Sequence, residues 1–394
     1  MTFLDEAFAM QDEIIAFRRD FHRHPELGMQ EVRTSSIVAQ RLRELGLSVT
    51  TGVATTGVVG LLRGQAESPV VLLRFDMDAL PIQEDTGVDY ASENPGIMHA
   101  CGHDSHMAVG LSVAKLLAAK RDEIPGTVKF VFQPAEEGGG GAMKMVAAGV
   151  LEDPKPDFAL GMHVWNEKPV GWYGLKPGPI MAGAAQFTVT LTGKGGHAAS
   201  PQNTADPVVA LAQIITALQT ITSRNVSPLE SAVVSVSTVN AGSAFNIIPQ
   251  KVEFSGTIRT FKPEVEKTVT DRFATIIHTI AMAMGCTAEI TTEKFTHAVI
   301  NDTALTAMMA TVTQAVNPNA QIDKTYQTMG SEDFSFLIQE IPGCFIFVGS
   351  ANAAKGLDYG HHHPKFNIDE ACLPYAAAIL AEGALAALKT RLHA

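Results

Sequence analysis

The chain has 394 residues, enough for two domains or for one large domain carrying an insertion. Hydrophobic residues at 46% and charged residues at 18% exclude a disordered chain. A net charge of −12 with no Lys/Arg cluster excludes a nucleic-acid role, because phosphate binding needs concentrated positive charge.

Residues 4–22 read as an amphipathic helix that stops before Pro25, without the basic head and apolar run of a secretory signal. A second helix is expected over 30–45, ending near Gly46. Residues 58–63 and 70–75 read as strands. The second, VVLLRF, is a continuous apolar run of the kind found in sheets covered on both faces. A helix over 105–120, a buried strand over 127–132, a short helix over 143–148 and a strand over 158–163 complete a β-α alternation. That alternation predicts a mainly parallel sheet with helices on both sides. The pattern changes near residue 184. Strands over 185–192, 231–239, 250–259 and 287–292 alternate with helices over 206–222 and 263–284, in the order β-α-β-β-α-β. This is the order of a ferredoxin-like unit, a four-stranded antiparallel sheet with two helices on one face. After residue 297 a helix (302–316), a strand (344–348) and a last helix (370–391) lack a complete core of their own. The expected fold class is therefore α/β, with residues 1–184 and 297–394 forming one domain and 185–296 inserted into it. No run of about 18 uninterrupted apolar residues is visible, so no membrane span is expected and the cytoplasm is the default. The longest apolar stretch considered, 207–221, is broken by Gln213 and Gln219.

Chemistry-bearing residues gather just after the expected strands, where open α/β sheets place ligands. Asp76 and Asp78 follow VVLLRF. His99, Cys101, His103, Asp104 and His106 open a helix, and so many polar side chains within eight residues are hard to explain as packing. Gly102 lets that loop turn tightly. Glu136 and Glu137 follow VKFVF. Adjacent carboxylates there can divide the work, one binding metal and the other moving a proton. His163 ends the strand FALGMH, and His361, His362 and His363 stand together late in the chain; spacing alone does not choose among those three. Thiolate, imidazole and carboxylate together suffice for two divalent ions bridged by a water or hydroxide, with Zn²⁺ favoured and Mn²⁺, Co²⁺ and Ni²⁺ left open by the carboxylates. A Cys-His nucleophile pair is the competing chemistry, but no third orienting group is evident for it. In the inserted unit, His197 follows two glycines, and Asn246 lies in the loop between two strands. Arg259, at a strand end, is placed to clamp a carboxylate. Cys286, Cys344 and Cys372 are isolated and form no CxxC pair with Cys101 or each other, so no disulfide framework is expected.

The motifs FHRHPELGMQE, RFDMDALPIQE, HACGHDSHMA, FQPAEEGGGGA, GMHVW, GKGGHAASP, FNIIP, GTIRTF, MGSEDFSF and HHHPKFNIDE run in order through nearly the whole chain. They resemble the family of hippurate hydrolases, N-acyl-amino-acid amidohydrolases and indole-acetyl-amino-acid hydrolases, relatives of aminoacylase and of glutamate-releasing carboxypeptidases. The resemblance implies a zinc-peptidase-like α/β/α catalytic domain with a ferredoxin-like lid that dimerises, and it allows a higher homo-oligomer. It implies metal ligands at Cys101, His103, Glu137, His163 and His362, the last chosen by the family's pattern of His, one residue, Pro. Relatives carry Ser or Asn where this chain has His363. By the same resemblance Glu136 is the general base acting on a metal-bridging water. Asp78 orients a ligand, His197 from a partner's lid stabilises the oxyanion, and Asn246, Arg259 and backbone at Gly330 hold the substrate. The expected reaction is release of a free amino acid from a small N-acetyl, N-benzoyl or similar N-acyl amino acid. A dipeptidase or carboxypeptidase is the alternative within the class, and a metal-free binding protein the alternative outside it. Trp165, Phe245 and residues 178–181 are candidates to line an apolar acyl pocket, or are ordinary core.

Overall fold

The structure is a computed structural model and describes residues 1–391. It divides into two compact units. One comprises Met1–Gly178, Ile300–Gln327 and the chain from Asp333 onward; the other comprises Pro179–Val299 and Thr328–Glu332.

The first unit is built on an eight-stranded sheet. In spatial order its strands are Ser48–Val53, Gly57–Arg63, Thr127–Gln133, Val70–Asp76, Phe158–Pro169, Gly343–Ala351, Trp172–Gly174 and Gln321–Asp323. The four central strands, from Thr127–Gln133 to Gly343–Ala351, run parallel. They are buried almost from end to end, which is why they read as largely apolar runs. The flanks are not parallel. Gly57–Arg63 pairs antiparallel with both its neighbours, and Trp172–Gly174 runs antiparallel to Gly343–Ala351. The sheet is thus mixed, with a parallel centre. Ser48–Val53 escapes the sequence pattern because SVTTGV is a mostly exposed edge strand with no apolar alternation.

Two helices, Phe3–Ala9 and Gln11–Arg23, replace the single N-terminal helix expected; Met10, with φ −105° and ψ 15°, caps the first and breaks the run. The last helix, Leu373–Arg391, has the helices Phe3–Ala9, Gln11–Arg23, His103–Ala118 and Thr303–Val316 packed around it. The segment Glu370–Thr390 is long and apolar enough to cross a membrane by length and composition, and 78% of its most apolar window is buried inside the protein. Among the described residues it, rather than 207–221, is the helix that is both long and apolar enough, and burial by four helices accounts for that.

In the second unit, strands Gly183–Thr192, Ala232–Ala241, Lys251–Thr260 and Thr287–Thr296 alternate with helices Pro207–Thr220 and Pro263–Ala283 in the order β-α-β-β-α-β. The strands form an antiparallel sheet in which Lys251–Thr260 and Gly183–Thr192 are central. Phe187, Phe254 and Phe273 make the aromatic centre of a separate core, with Ile214 and Leu218 of the first helix against them. That helix starts where Asp206 accepts from the backbone of Val208 and Val209 and Pro207 supplies a preset φ.

Candidate metal centre

The donors of the first unit meet at the carboxyl ends of the central strands, the usual ligand edge of an open α/β sheet. Asp76 closes the strand Val70–Asp76 and Gln133 closes Thr127–Gln133. Past Gln133, Ala135 turns the chain at φ +50°, its N–H held by the buried Glu31 at 3.0 Å, and so delivers Glu136 and Glu137. Gly102, at φ +90°, turns the Cys101 loop into the helix His103–Ala118, which begins two residues earlier than its apolar pattern suggests. His362 also sits at positive φ, +64°, its N–H bonded to the Ala100 carbonyl at 2.8 Å. Non-glycine residues in that conformation store strain, and they are enriched where function demands it.

Six side chains named from the sequence come together here. Ligand atoms of Cys101, His103 and His163 lie within 4.8 Å of one another, as do those of Cys101, Glu137 and His362 and those of His103, Glu136 and Glu137. Cys101 Sγ is 3.4 Å from His163 Nε2, and His362 Nε2 is 3.2 Å from Glu137 Oε1. Asp78 braces two of the six. Its backbone carbonyl accepts from His103 Nδ1 at 2.9 Å, and its carboxylate accepts the Glu137 N–H at 2.9 Å.

The three late histidines separate cleanly. His361 is turned inward, with Nε2 2.9 Å from the Val164 carbonyl. His363 is exposed and stacks on Tyr359. His362 alone faces Glu137. Of the others in the HACGHDSH segment, His106 has both nitrogens committed, to Asp76 Oδ1 and to the Val164 N–H. His99 is buried, and desolvation pushes its pKa down to about 3, so it is neutral; neither ring nitrogen has a hydrogen-bond partner among the described residues. Trp165 is 8% exposed, donates to Tyr326 Oη at 2.6 Å, and packs against His163 and His361.

The chain's own atoms test whether metal fits. Among the described residues, His103 Nε2, Asp78 Oδ1 and Glu137 Oε1 are buried without a well-directed hydrogen bond. A protein core rarely leaves such atoms unsatisfied. Two ligands on one tetrahedral ion stand about 3.5 Å apart given ordinary metal–sulfur and metal–nitrogen lengths, and the Cys101–His163 and Glu137–His362 spacings match. The charges agree. Burial works against a charged His103, yet Asp76, Asp78 and Glu137 raise its pKa to about 10. Burial, with Glu137 and Glu136 nearby, pushes the Cys101 thiol well above its usual range. The acids around the site thus call for positive charge, which a bound cation would supply.

Several framing residues were not singled out from the sequence. Arg74 donates to Asp76 Oδ2 (2.6 Å), Asp333 Oδ1 (2.9 Å) and Gln133 Oε1 (2.8 Å), and Asp333 also accepts from Gln133 and from the Ala142 N–H. Burial would raise the Asp76 carboxyl, but His103, His106 and Arg74 hold it well below the usual carboxylate range. The signals were an arginine near the end of the largely apolar strand VVLLRFD and a glutamine closing TVKFVFQ. A buried Arg is rare unless paired.

The remaining named residues lie in the second unit. His197 is exposed on a short strand paired with Ile247–Ile248, and the Ala198 N–H donates to the Asn246 carbonyl at 3.0 Å, so His197 and Asn246 are neighbours. Arg259 is half-buried, its Nε bonded to Thr257 Oγ1 at 3.1 Å, and burial lowers its pKa. Gly330 has its N–H on Thr328 Oγ1 and its carbonyl accepting from Ala182, which leaves one carbonyl lone pair. Phe245 is fully exposed beside Asn246.

Gly102 offers a direct check on the loop. A Cβ there would lie 2.4 Å from Val164 Cγ2 on a backbone that L side chains rarely adopt. Gly102→Ala is expected to cost about 1–3 kcal/mol of backbone strain alone and to displace Cys101 and His103. Thermal unfolding and bound-metal analysis should both fall below wild type; a variant with normal metal content would show that the loop tolerates the displacement.

Residues 72–386 match the model of peptidase family M20/M25/M40. The chain belongs to this family. It is a hydrolase of amide bonds, and its donors suffice for two divalent ions. This M20 chain is 40% identical over 375 residues to N-acetyl-L-cysteine deacetylase of Bacillus subtilis (strain 168), a match covering 95% of this chain and 88% of the relative. It is 43% identical to IAA-amino acid hydrolase ILR1-like 4 of Arabidopsis thaliana, covering 93% of this chain and 84% of that one. Among solved structures, Bacillus subtilis YXEP protein, described as a dinuclear metal binding peptidase of family M20, superposes with a TM-score of 0.85. It is 36% identical, and the match covers 97% of this chain and 99% of that one.

Proposed function

We propose that this M20 hydrolase cleaves the amide bond of small N-acyl amino acids, giving a carboxylic acid and a free amino acid. The observation that carries the reading is the Glu136–Glu137 pair. Both carboxylates lie beside His103, while Glu137 alone also joins Cys101 and His362. We assign Glu137 to metal binding and Glu136 to proton transfer on that difference. The names of the two relatives supply the substrate class, an amino acid acylated on nitrogen.

Cys101, His103, Glu137, His163 and His362 would hold two divalent ions, with Cys101 in both donor groups; thiolate and imidazole favour Zn²⁺ over Mn²⁺, Co²⁺ or Ni²⁺. When bound, such ions polarise a carbonyl and acidify water. Glu136 takes a proton from the water that attacks the amide carbon. It then delivers that proton to the leaving nitrogen as the C–N bond breaks. Asp78 keeps His103 and the Glu137 backbone in place. His197 stabilises the developing oxyanion, where stabilisation lowers the barrier most. Arg259 and Asn246 hold the substrate's carboxylate or carbonyl, and Gly330 offers its free carbonyl lone pair. We assign residues 185–296 the role of lid and dimerisation domain, and 1–184 with 297–394 the catalytic domain, in a homodimer whose partner supplies His197.

The test is amino-acid release from N-acetyl, N-benzoyl and N-indoleacetyl amino acids and from dipeptides. It uses chelator-stripped protein with Zn²⁺, Mn²⁺, Co²⁺ or Ni²⁺ restored singly. Release is expected only with metal, and faster from N-acyl amino acids than from dipeptides. The opposite ranking would make the enzyme a dipeptidase. Activity that survives stripping but not thiol alkylation would point to a cysteine nucleophile.

A further inference from the structure

The strand Phe158–Pro169 outruns its neighbour Val70–Asp76, whose pairing with it ends at Arg74 opposite Gly161. Three residues further on, both polar groups of Val164 are met by imidazoles. The Val164 N–H donates to His106 Nε2 at 3.0 Å. The Val164 carbonyl lies 2.6 Å from His163 Nδ1 and 2.9 Å from His361 Nε2. A backbone N–H can only donate and a carbonyl can only accept, so the proton positions on all three rings follow. His106 must offer a bare Nε2, which puts its proton on Nδ1, directed at Asp76 Oδ1 2.5 Å away. His163 must carry its proton on Nδ1, which bares Nε2, the atom that faces Cys101 Sγ at 3.4 Å. His361 must donate through Nε2. With two donors on it, the Val164 carbonyl has both lone pairs in use.

The rings also confine one another. His163 stands edge-on to His106, with centroids 4.6 Å apart, and to His361, with centroids 5.1 Å apart. His361 packs in turn on Trp165 and Phe366. His163 therefore has neither a free tautomer nor a free tilt.

We infer that His106 and His361 are positioning residues that act through the Val164 amide and carbonyl to fix the tautomer and direction of His163. The inference rests on the proposed role of His163 as a metal ligand. It assigns work to two histidines whose place in the motifs suggests ligands, although both ring nitrogens of His106 and Nε2 of His361 are already committed. Outer partners of this kind typically change metal affinity by about 10–100-fold.

The experiment is calorimetric titration of stripped full-length protein with Zn²⁺ and Co²⁺, with visible absorption of the Co²⁺ form as a second readout. His361→Phe keeps a ring against Trp165 and removes the donor to Val164. His361→Gln restores a donor. His106→Leu removes the acceptor for the Val164 N–H and gives an independent variant if His361→Phe does not fold. Wild type is expected to bind two ions. His361→Phe and His106→Leu should bind one of them about 10–100-fold more weakly, with an altered Co²⁺ spectrum and with kcat reduced more than KM is raised, and His361→Gln should recover most of the loss. Folded variants with wild-type affinities and spectrum would overturn the positioning role while leaving the metal reading intact. A wild-type protein that binds neither ion would overturn both.

Discussion

Replacing Glu136 with alanine or glutamine is expected to lower turnover by about 10²–10⁴-fold, the usual worth of a positioned acid–base group, while bound metal stays at the wild-type level. The adjacent carboxylates make this a sharp comparison. Glu136 and Glu137 share a loop turned at Ala135 and both lie near His103, but only Glu137 joins Cys101 and His362. Glu137→Gln should therefore lose metal and activity together, whereas Glu136→Gln should lose activity alone. Because kcat should fall with little change in KM, the comparison also separates transition-state chemistry from substrate binding. A Glu136 variant with near-normal kcat would remove it as the base.

Cys101→Ser and His103→Ala are expected to abolish activity by removing the metals themselves. Cys101 belongs to two of the donor groups and His103 to three, so either loss should reach beyond a single ion. Hydroxyl is a far poorer ligand than thiolate for a borderline-soft ion, which is why the isosteric serine should fail. The same two residues set the pH dependence of loading. With its pKa raised to about 10, His103 carries a proton at pH 7 when no ion is bound, and the Cys101 thiol, pushed well above its usual range, does too. Ligands must be deprotonated to bind. Metal uptake at pH 7 is thus expected to release about two protons, and affinity should rise as pH increases towards 10. Calorimetry in buffers of different ionisation enthalpy counts the protons. Uptake without release would mean that neither residue becomes a ligand.

Much of the candidate site is legible in the order of residues because its chemistry is local. Largely apolar strands end in Asp76 and Gln133, and helices and loops just beyond them carry Cys101, His103, Glu136 and Glu137; His163, expected at a strand end, lies inside the longer strand Phe158–Pro169. A strand end is where a side chain can leave the core yet stay near the sheet, so the motifs and the geometry coincide. The antiparallel second unit is legible for a similar reason: one covered face and one open face make its strands alternate, as AQFTVTLT does.

What chain order by itself determined is therefore the α/β class, the β-α-β-β-α-β segment, the family, and the set of residues able to bind metal or move protons. Only the tertiary structure decided which of them are free to act. HHH is three equal candidates until the fold gives His361 to a carbonyl, His363 to Tyr359 and His362 to Glu137. His103 and His106, three residues apart on one helix, diverge because one Nε2 meets no hydrogen-bond partner and the other meets a backbone N–H. Arg74 and Asp333 pair across 259 positions of chain, a separation no local pattern can bridge. The antiparallel flanks of the sheet belong with these, since a short exposed strand such as SVTTGV carries too little apolar pattern to declare its neighbour. Residue type sets what a side chain can do; hydrogen-bond pairing sets what it has left to do, and in a buried site nearly every polar atom is claimed by whichever partner the fold brings close.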